Sequence, residues 1–239
     1  MPLVQKPYLP EKRVRVAIGD VKIKNVEIIK PYPIQTVVQS MSLHADLSIC
    51  YLGRGIAICA PEAFEYYKEK LSCYNISLIR GETIVCRNYP CDAAYNVAIV
   101  GNKIFCKEKI TDNTLKSCAI QMGYEIININ QGYAKCSVCP IDEKTAISAD
   151  MSFVKKASEA GIEVLPITNE GIQLKGFSEG FFGGCAFMTD KHTFSLKGDI
   201  DTLPSVEKIR AFLLQKGISI ENQTGQVQDF GSLVPIIEE

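Results

Sequence analysis

Apolar runs separated by tight-turn signals recur along the chain at nearly even intervals. Four turns sit between strand-like runs, at Gly53-Arg54-Gly55, Gly101-Asn102, Asp142-Glu143 and Asp190-Lys191. From position 53 to 101, 142 and 190 the steps are 48, 41 and 48 residues. Periods of this length mark a stacked or circular array of similar units. Around the second turn, residues 95–100 predict an outgoing strand and 103–106 a returning one. Residues 111–122 then predict a helix with Leu115, Cys118, Ala119 and Met122 on one buried face. Thr111 and Asp112 supply N-terminal caps, Gly123 a stop, and residues 124–129 a third strand.

The same order is read three more times. Strands at 47–51 and 56–59 precede a helix over 61–71, with Pro61 in its first turn, and a strand at 76–79. A strand at 144–148 leads to a helix opened near Asp150 and closed at Gly161, then a strand at 163–167. A strand at 193–196 leads to a helix over 205–216, a stop at Gly217 and a strand at 218–221. A fifth unit is split across the chain ends: its outgoing strand comes from 232–237 and its returning strand from 14–18. Between Gly19 and Val26 there is room for a loop or at most one helical turn. Pairing the ends would close a ring and remove the open sheet edges. The expected fold class is α/β, a five-bladed α/β propeller of strand-strand-helix-strand units around a pseudo-fivefold axis, with residues 1–239 as a single domain. An open α+β fold with evenly spaced hairpins is the competing reading.

Composition narrows the setting. The chain has 239 residues, 46% hydrophobic and 22% charged, enough to bury a full core. A net charge of −1 gives no electrostatic reason to expect nucleic acid. No stretch approaches the roughly 18 apolar residues of a membrane span, and residues 1–20 lack a signal-peptide pattern. A cytoplasmic protein without a membrane partner is expected. Its ten cysteines are then expected as reduced thiols.

In a ring, the residues just before each outgoing strand face one another at one end of the axis. These are His44, Asp92, Cys136, Gly184 and Asp229, separated by 48, 44, 48 and 45 residues. A thiol is only a few per cent ionised at neutral pH, and a neighbouring imidazolium raises that fraction. Cys136 is therefore a candidate nucleophile and His44 a candidate general acid and base. Asp46, Asp92 and Asp229 suit a cationic planar substrate, because guanidinium presents a fork of N–H donors that carboxylates accept in pairs. Gly183 and Gly184 allow close backbone approach to a ligand or let strands crowd at the centre.

These residues resemble the pentein superfamily, the guanidine-modifying fold of dimethylarginine dimethylaminohydrolase, the arginine and agmatine deiminases and the amidinotransferases. Residues 42–50, Ser-Leu-His-Ala-Asp-Leu-Ser-Ile-Cys, look like the stretch around that family's catalytic histidine, and His44-Ala45-Asp46 matches the His-x-Asp of the deiminases. Asp92-Ala93-Ala94-Tyr95-Asn96 is similar to an Ala-Ala-Asn stretch of the next family unit. Residues 131–138, Gln-Gly-Tyr-Ala-Lys-Cys-Ser-Val, resemble the segment of the nucleophilic cysteine. The unit order is shifted relative to the hydrolases. Gly183-Gly184 stands where the family carries an acidic pair, and Asp229 in Val227-Gln228-Asp229-Phe230-Gly231 is a candidate replacement.

The resemblance implies a cysteine-dependent, non-peptide C–N hydrolase or amidinotransferase. It acts on a small guanidine or amidine through an amidino-thioether on Cys136, with no cofactor and no metal. A non-catalytic pentein similar to the ribosome anti-association factor is the alternative. For Cys136 itself a buried structural thiol and a Cys-x-x-Cys site with Cys139 stay open; in that reading a strand sets the two on opposite faces. His192 falls in a turn and is expected at the surface, and Cys185 is expected to pack.

Overall fold

The computed structural model describes residues 2–239, and its strands form five three-stranded sheets. The chain opens with β1 (Val14–Ile18) and β2 (Glu27–Ile29). The first full unit has α1 (Ala45–Ser48), β3 (Ile49–Gly53), β4 (Ile56–Cys59), α2 (Phe64–Lys70) and β5 (Ser77–Arg80). The second has β6 (Ala98–Val100), β7 (Lys103–Cys106), α3 (Asn113–Gln121) and β8 (Glu125–Asn128). The third has α4 (Ala134–Ser137), β9 (Val138–Pro140), β10 (Thr145–Ser148), α5 (Met151–Glu159) and β11 (Glu163–Pro166). The fourth has α6 (Phe182–Cys185), β12 (Ala186–Asp190), β13 (Thr193–Leu196), α7 (Val206–Gln215) and β14 (Ser219–Glu221), and β15 (Val234–Glu238) ends the chain.

Each sheet follows one rule: the middle strand is antiparallel to the first and parallel to the third. A hairpin suffices for the antiparallel step, whereas the parallel step needs a crossover, which α2, α3, α5 and α7 provide. In the sheet β15-β1-β2 the two chain ends pair antiparallel, Ala17 opposite Pro235 and Ile18 opposite Val234. The described residues between β1 and β2 form no helix. No strand pairing joins one sheet to the next among the described residues, so pairing the chain ends does not close the sheets into a ring or remove their open edges, against the expectation from the sequence. Neighbouring units meet instead through their first strands, β6 against β9, β9 against β12 and β15 against β3. Those strands are buried on both faces, as for β3, β6 and β9.

Two further expectations from the sequence change. The outgoing strands of three units are preceded by a buried helical turn, α1, α4 or α6, where an uninterrupted strand is expected from residue 47 and around Cys136. Burial on all sides removes the polar alternation that separates a turn from a strand. Cys136 therefore lies on α4 and Cys139 on β9, and the opposite-face argument for one strand does not apply. Cys86 and Cys91 are joined as a disulfide, against the expectation of ten reduced thiols, because the loop brings their Cα atoms to 5.3 Å. The other eight cysteines are free. No helix among the described residues is long and apolar enough to cross a membrane.

Asp112 ties two units of structure together. Its Oδ1 caps α3 by accepting from Leu115 N at 3.0 Å, and its Oδ2 accepts from Glu82 N and Thr83 N at 2.9 and 2.8 Å. Burial pushes the carboxyl up, but the backbone donors outweigh it and hold the group below its ordinary value. Its stabilisation is thus present above the unfolded-chain value of 3.8 and is lost as pH falls through the lower folded value. Asp112→Ala is expected to cost about 2 kcal/mol at pH 7 in urea denaturation. The gap between variant and parent closes as the buffer is acidified below pH about 4.

Candidate active site

Turns that enter neighbouring sheets carry the candidate side chains. His44 is the residue before α1, Asp46 lies in its first turn, Cys136 on α4, and Gly184 on α6. Asp229 lies just ahead of β15. The side chains of His44, Asp46, Cys136 and Asp229 are buried. Side-chain donor atoms of His44, Cys136 and Asp229 lie within 4.8 Å of one another. The Cys136 thiol donates to Asp46 Oδ2 at 2.9 Å, and His44 Nδ1 is 4.0 Å from Asp229 Oδ1. Neither ring nitrogen of His44 has a protein hydrogen-bond partner among the described residues, and neither does Asp46 Oδ1. Three buried polar atoms thus converge with unused hydrogen-bonding capacity, which is costly unless a ligand or solvent meets it.

Backbone crowding fixes this arrangement. Asp229 Oδ2 accepts from Phe181 N at 2.9 Å and Oδ1 from Gly231 N at 3.0 Å. A Cβ on Gly184 would overlap the Asp229 carboxylate, so the glycine leaves room for the acid that reaches in from the next segment. Gly184 itself uses its carbonyl to receive Phe230 N and Ser232 N and its N–H for Phe181 O, a scaffold position. Gly231 has φ +75°, and a side chain there would run into His44.

Asp92 is not in the cluster. Its Oδ2 accepts from Tyr133 Oη at 2.7 Å, and its Oδ1 is buried without a partner among the described residues. Cys139 points its thiol to Pro140 O at 3.8 Å and packs in the core with Phe182 and Cys185. His192 is exposed and Cys185 is buried. The N, S and O donors of His44, Cys136 and Asp229 are also a set from which a transition-metal site is built. Cys136–Cys139 spacing plays no part in it.

Two residues that the repeat spacing does not single out are buried beside Cys136, and one of them, Asn96, bonds the thiol. Asn96 Oδ1 accepts from Lys135 N at 2.7 Å and Cys136 N at 3.2 Å, while its Nδ2 donates to Cys136 Sγ at 3.2 Å. Lys135 is fully buried, its Nζ donating to Gly183 O at 3.0 Å and Val138 O at 3.3 Å above the Tyr8 ring. The Cys136 thiol is pushed well above its ordinary value, first by burial and then by Asp46 and Asp229; Asn96 opposes this. Burial also raises Asp46, against the pull of His44, the thiol and Lys135. Asp92 is raised by burial, with the Tyr133 hydrogen bond acting the other way. The sulfur thus faces the carboxyl groups of Asp46 and Asp229 in surroundings that favour the thiol over the thiolate. A cleft of about 1200 Å³ reaches this cluster through His44 and Asp229.

A protein-family model matches residues 12–234, nearly the whole chain. The chain belongs to DUF6873, a family of unknown function. No curated protein matches the sequence. Among solved structures, this DUF6873 chain resembles SxtG, an amidinotransferase of the saxitoxin pathway from Microseira wollei. The TM-score is 0.63 at 10% identity, covering 100% of this chain and 98% of that one. The inosamine-phosphate amidinotransferase of Streptomyces griseus aligns with a TM-score of 0.55 at 9% identity, over 99% and 97% of the two chains. A DDAH variant from Pseudomonas aeruginosa, complexed with citrulline, gives 0.54 at 9% over 92% and 93%. The DUF6873 chain therefore has the pentein fold, five three-stranded units of mixed α/β structure.

Asn96 was detectable only as part of the Ala-Ala-Asn resemblance, because it acts across two units. Lys135 gives no sequence signal beyond its place before Cys136. Asn96→Ala strands the buried N–H groups of Lys135 and Cys136. A loss of about 2 kcal/mol or more in unfolding free energy is expected. The thiol should also titrate higher, read as a shift to higher pH in the alkylation profile of the Cys136 peptide by mass spectrometry.

Proposed function

We propose that this protein is a cysteine-dependent enzyme acting on a guanidine or amidine, and that residues 2–239 work as one domain with the five units set around a common axis. The observation that carries the reading is the meeting of His44, Cys136 and Asp229 from three separate chain segments, with Asp46 bonded to the thiol. The fold shared with two amidinotransferases and DDAH supports it.

The electrostatics suit a cationic substrate. Asp46 and Asp229 are desolvated acceptor groups, Asp229 lining the cleft and Asp46 buried behind it, and a guanidinium supplies both the charge and the N–H donors that such carboxylates lack. The same two charges hold the thiol protonated, so a bound cation that neutralises them favours the thiolate. In the proposed sequence Cys136 loses its proton to His44, and the thiolate attacks the central carbon. The C–N bond then breaks, with the leaving nitrogen taking the proton back from His44. The resulting amidino-thioether on Cys136 is released when water, or an acceptor amine, attacks the same carbon with His44 as base. Water gives a hydrolase and an amine a transferase. Asp92, paired to Tyr133 outside the cluster, contributes at the margin of the substrate site. Gly184 contributes by admitting the Asp229 carboxylate.

Chloroacetamidine, a cationic alkylating amidine, tests the reading. Selective modification of Cys136 among the free cysteines is expected, with the rate falling about 10²-fold or more in His44→Ala. Asp229→Asn should weaken the saturable phase of labelling while leaving the fold intact by circular dichroism. Uniform labelling of many cysteines, or labelling indifferent to His44, would remove the enzyme reading in favour of a pentein that only binds.

A further inference from the structure

The cleft above His44 and Asp229 does not end at its rim. It adjoins a second cavity of about 620 Å³, and the two share Asp20, Lys197, Gln226 and Gln228 as a common wall. Their charges are opposite. Beside His44, the first is lined by Asp20, Glu170, Glu179 and Asp229 against two lysines, Lys175 and Lys197. The second is lined by Lys22, Lys30 and Lys197 against Asp20 alone. None of Lys22, Lys30 and Lys197 forms an ion pair with a carboxylate among the described residues.

Lys197 sits at the junction. Its Nζ donates to the Asp20 carbonyl at 2.9 Å and lies 5.4 Å from the centroid of the Phe230 ring. Its own carbonyl receives Gln228 N at 3.0 Å, one residue before Asp229. The ammonium is thus fixed by the same segment that carries the candidate substrate carboxylate. These two contacts, a carbonyl and an aromatic face, leave its charge uncompensated by any acid among the described residues.

We infer that the second cavity is an anion subsite and that the substrate is bipolar, an amidine head in the acidic cleft and a phosphate-like dianion held by Lys22, Lys30 and Lys197. This rests on the enzyme reading above for the head group but not for the anion. Three lysines against one aspartate match the charge of about −2 that a phosphate monoester carries near pH 7, and exceed that of a single carboxylate. Lysine binds phosphate as a point charge without needing a fixed fork, so unpaired ammonium groups around a concavity suffice. The separation of the two charge fields also orients the ligand, since reversing it would place like charges together in both cavities.

Inorganic phosphate is the direct probe, titrated at constant ionic strength and followed by amide NMR shifts of the loop Gln223–Gln228 or by calorimetry. Saturable binding is expected in the parent and in Cys136→Ser alike. The affinity should fall at least tenfold in Lys22→Ala/Lys30→Ala and less than twofold in Lys208→Ala, an exposed lysine on α7 outside both cavities. Succinate, titrated in parallel, should bind more weakly than phosphate. Absence of phosphate binding, equal loss in all lysine variants, or preference for succinate would each overturn the phosphate subsite. Because binding is read in Cys136→Ser, its loss leaves the chloroacetamidine result standing, and a failed labelling experiment leaves the subsite standing.

Discussion

Close approach of backbones at one end of the molecule is the constraint from which the candidate site follows. A Cβ on Gly183 would strike the carbonyls of Lys135 and Val138, one on Gly184 the Asp229 carboxylate, and one on Gly231 the His44 side chain. Glycine at these positions lets the segments before β3, β9, β12 and β15 share one small volume. The short buried turns α1, α4 and α6 follow from it, because the chain must change direction there while satisfying its own backbone groups. Paired chain ends in the sheet β15-β1-β2 bring Asp229 to the same place.

What the crowding assembles is an electrostatic imbalance. Two carboxylates, an imidazole and a thiol are desolvated together, and the buried ammonium of Lys135 is committed to two carbonyls and the Tyr8 ring. In such a setting each group's protonation depends on the others. Burial, Asp46 and Asp229 all favour the thiol over the thiolate, and Asp46 is itself pulled between burial and the positive groups near it. On the proposed reading such a site is quiet when empty and is switched by a cation that satisfies the acids, which would reconcile a buried, high-lying thiol with a nucleophilic role. The proposed anion subsite beyond Lys197 would extend the same logic to the far end of a ligand.

Much of the scaffold was legible because its signals are local. The turns at Gly53, Gly101, Asp142 and Asp190 and the caps at Asp112 and Asp150 are written in adjacent residues, and α3 and α5 begin where those caps place them. The split fifth unit followed from the repeat length alone. The site was legible only as positions: spacing aligned His44, Cys136, Gly184 and Asp229, but Asp92, on the same spacing, turns to Tyr133 instead. A register argument places Cα atoms and does not choose rotamers. Gly184 illustrates the other limit, since its role depends on an acid 45 residues away filling the space its side chain would take. Asn96, Lys135 and the Cys86–Cys91 bridge depend on contacts between segments or on loop conformation, which periodicity does not encode.

The proposed function requires that a bound cation ionise a thiol that burial and the acids otherwise keep in its neutral form. Its most direct measurement compares alkylation of Cys136 by chloroacetamide, neutral, with that by chloroacetamidine, its near-isosteric cation, from pH 6 to 10, each normalised to a small free thiol. A large excess for the cation is expected at neutral pH, one that collapses in Asp46→Asn as the neutral reagent gains rate and the cationic one loses it. Equal normalised rates for the two reagents across the pH range would contradict it.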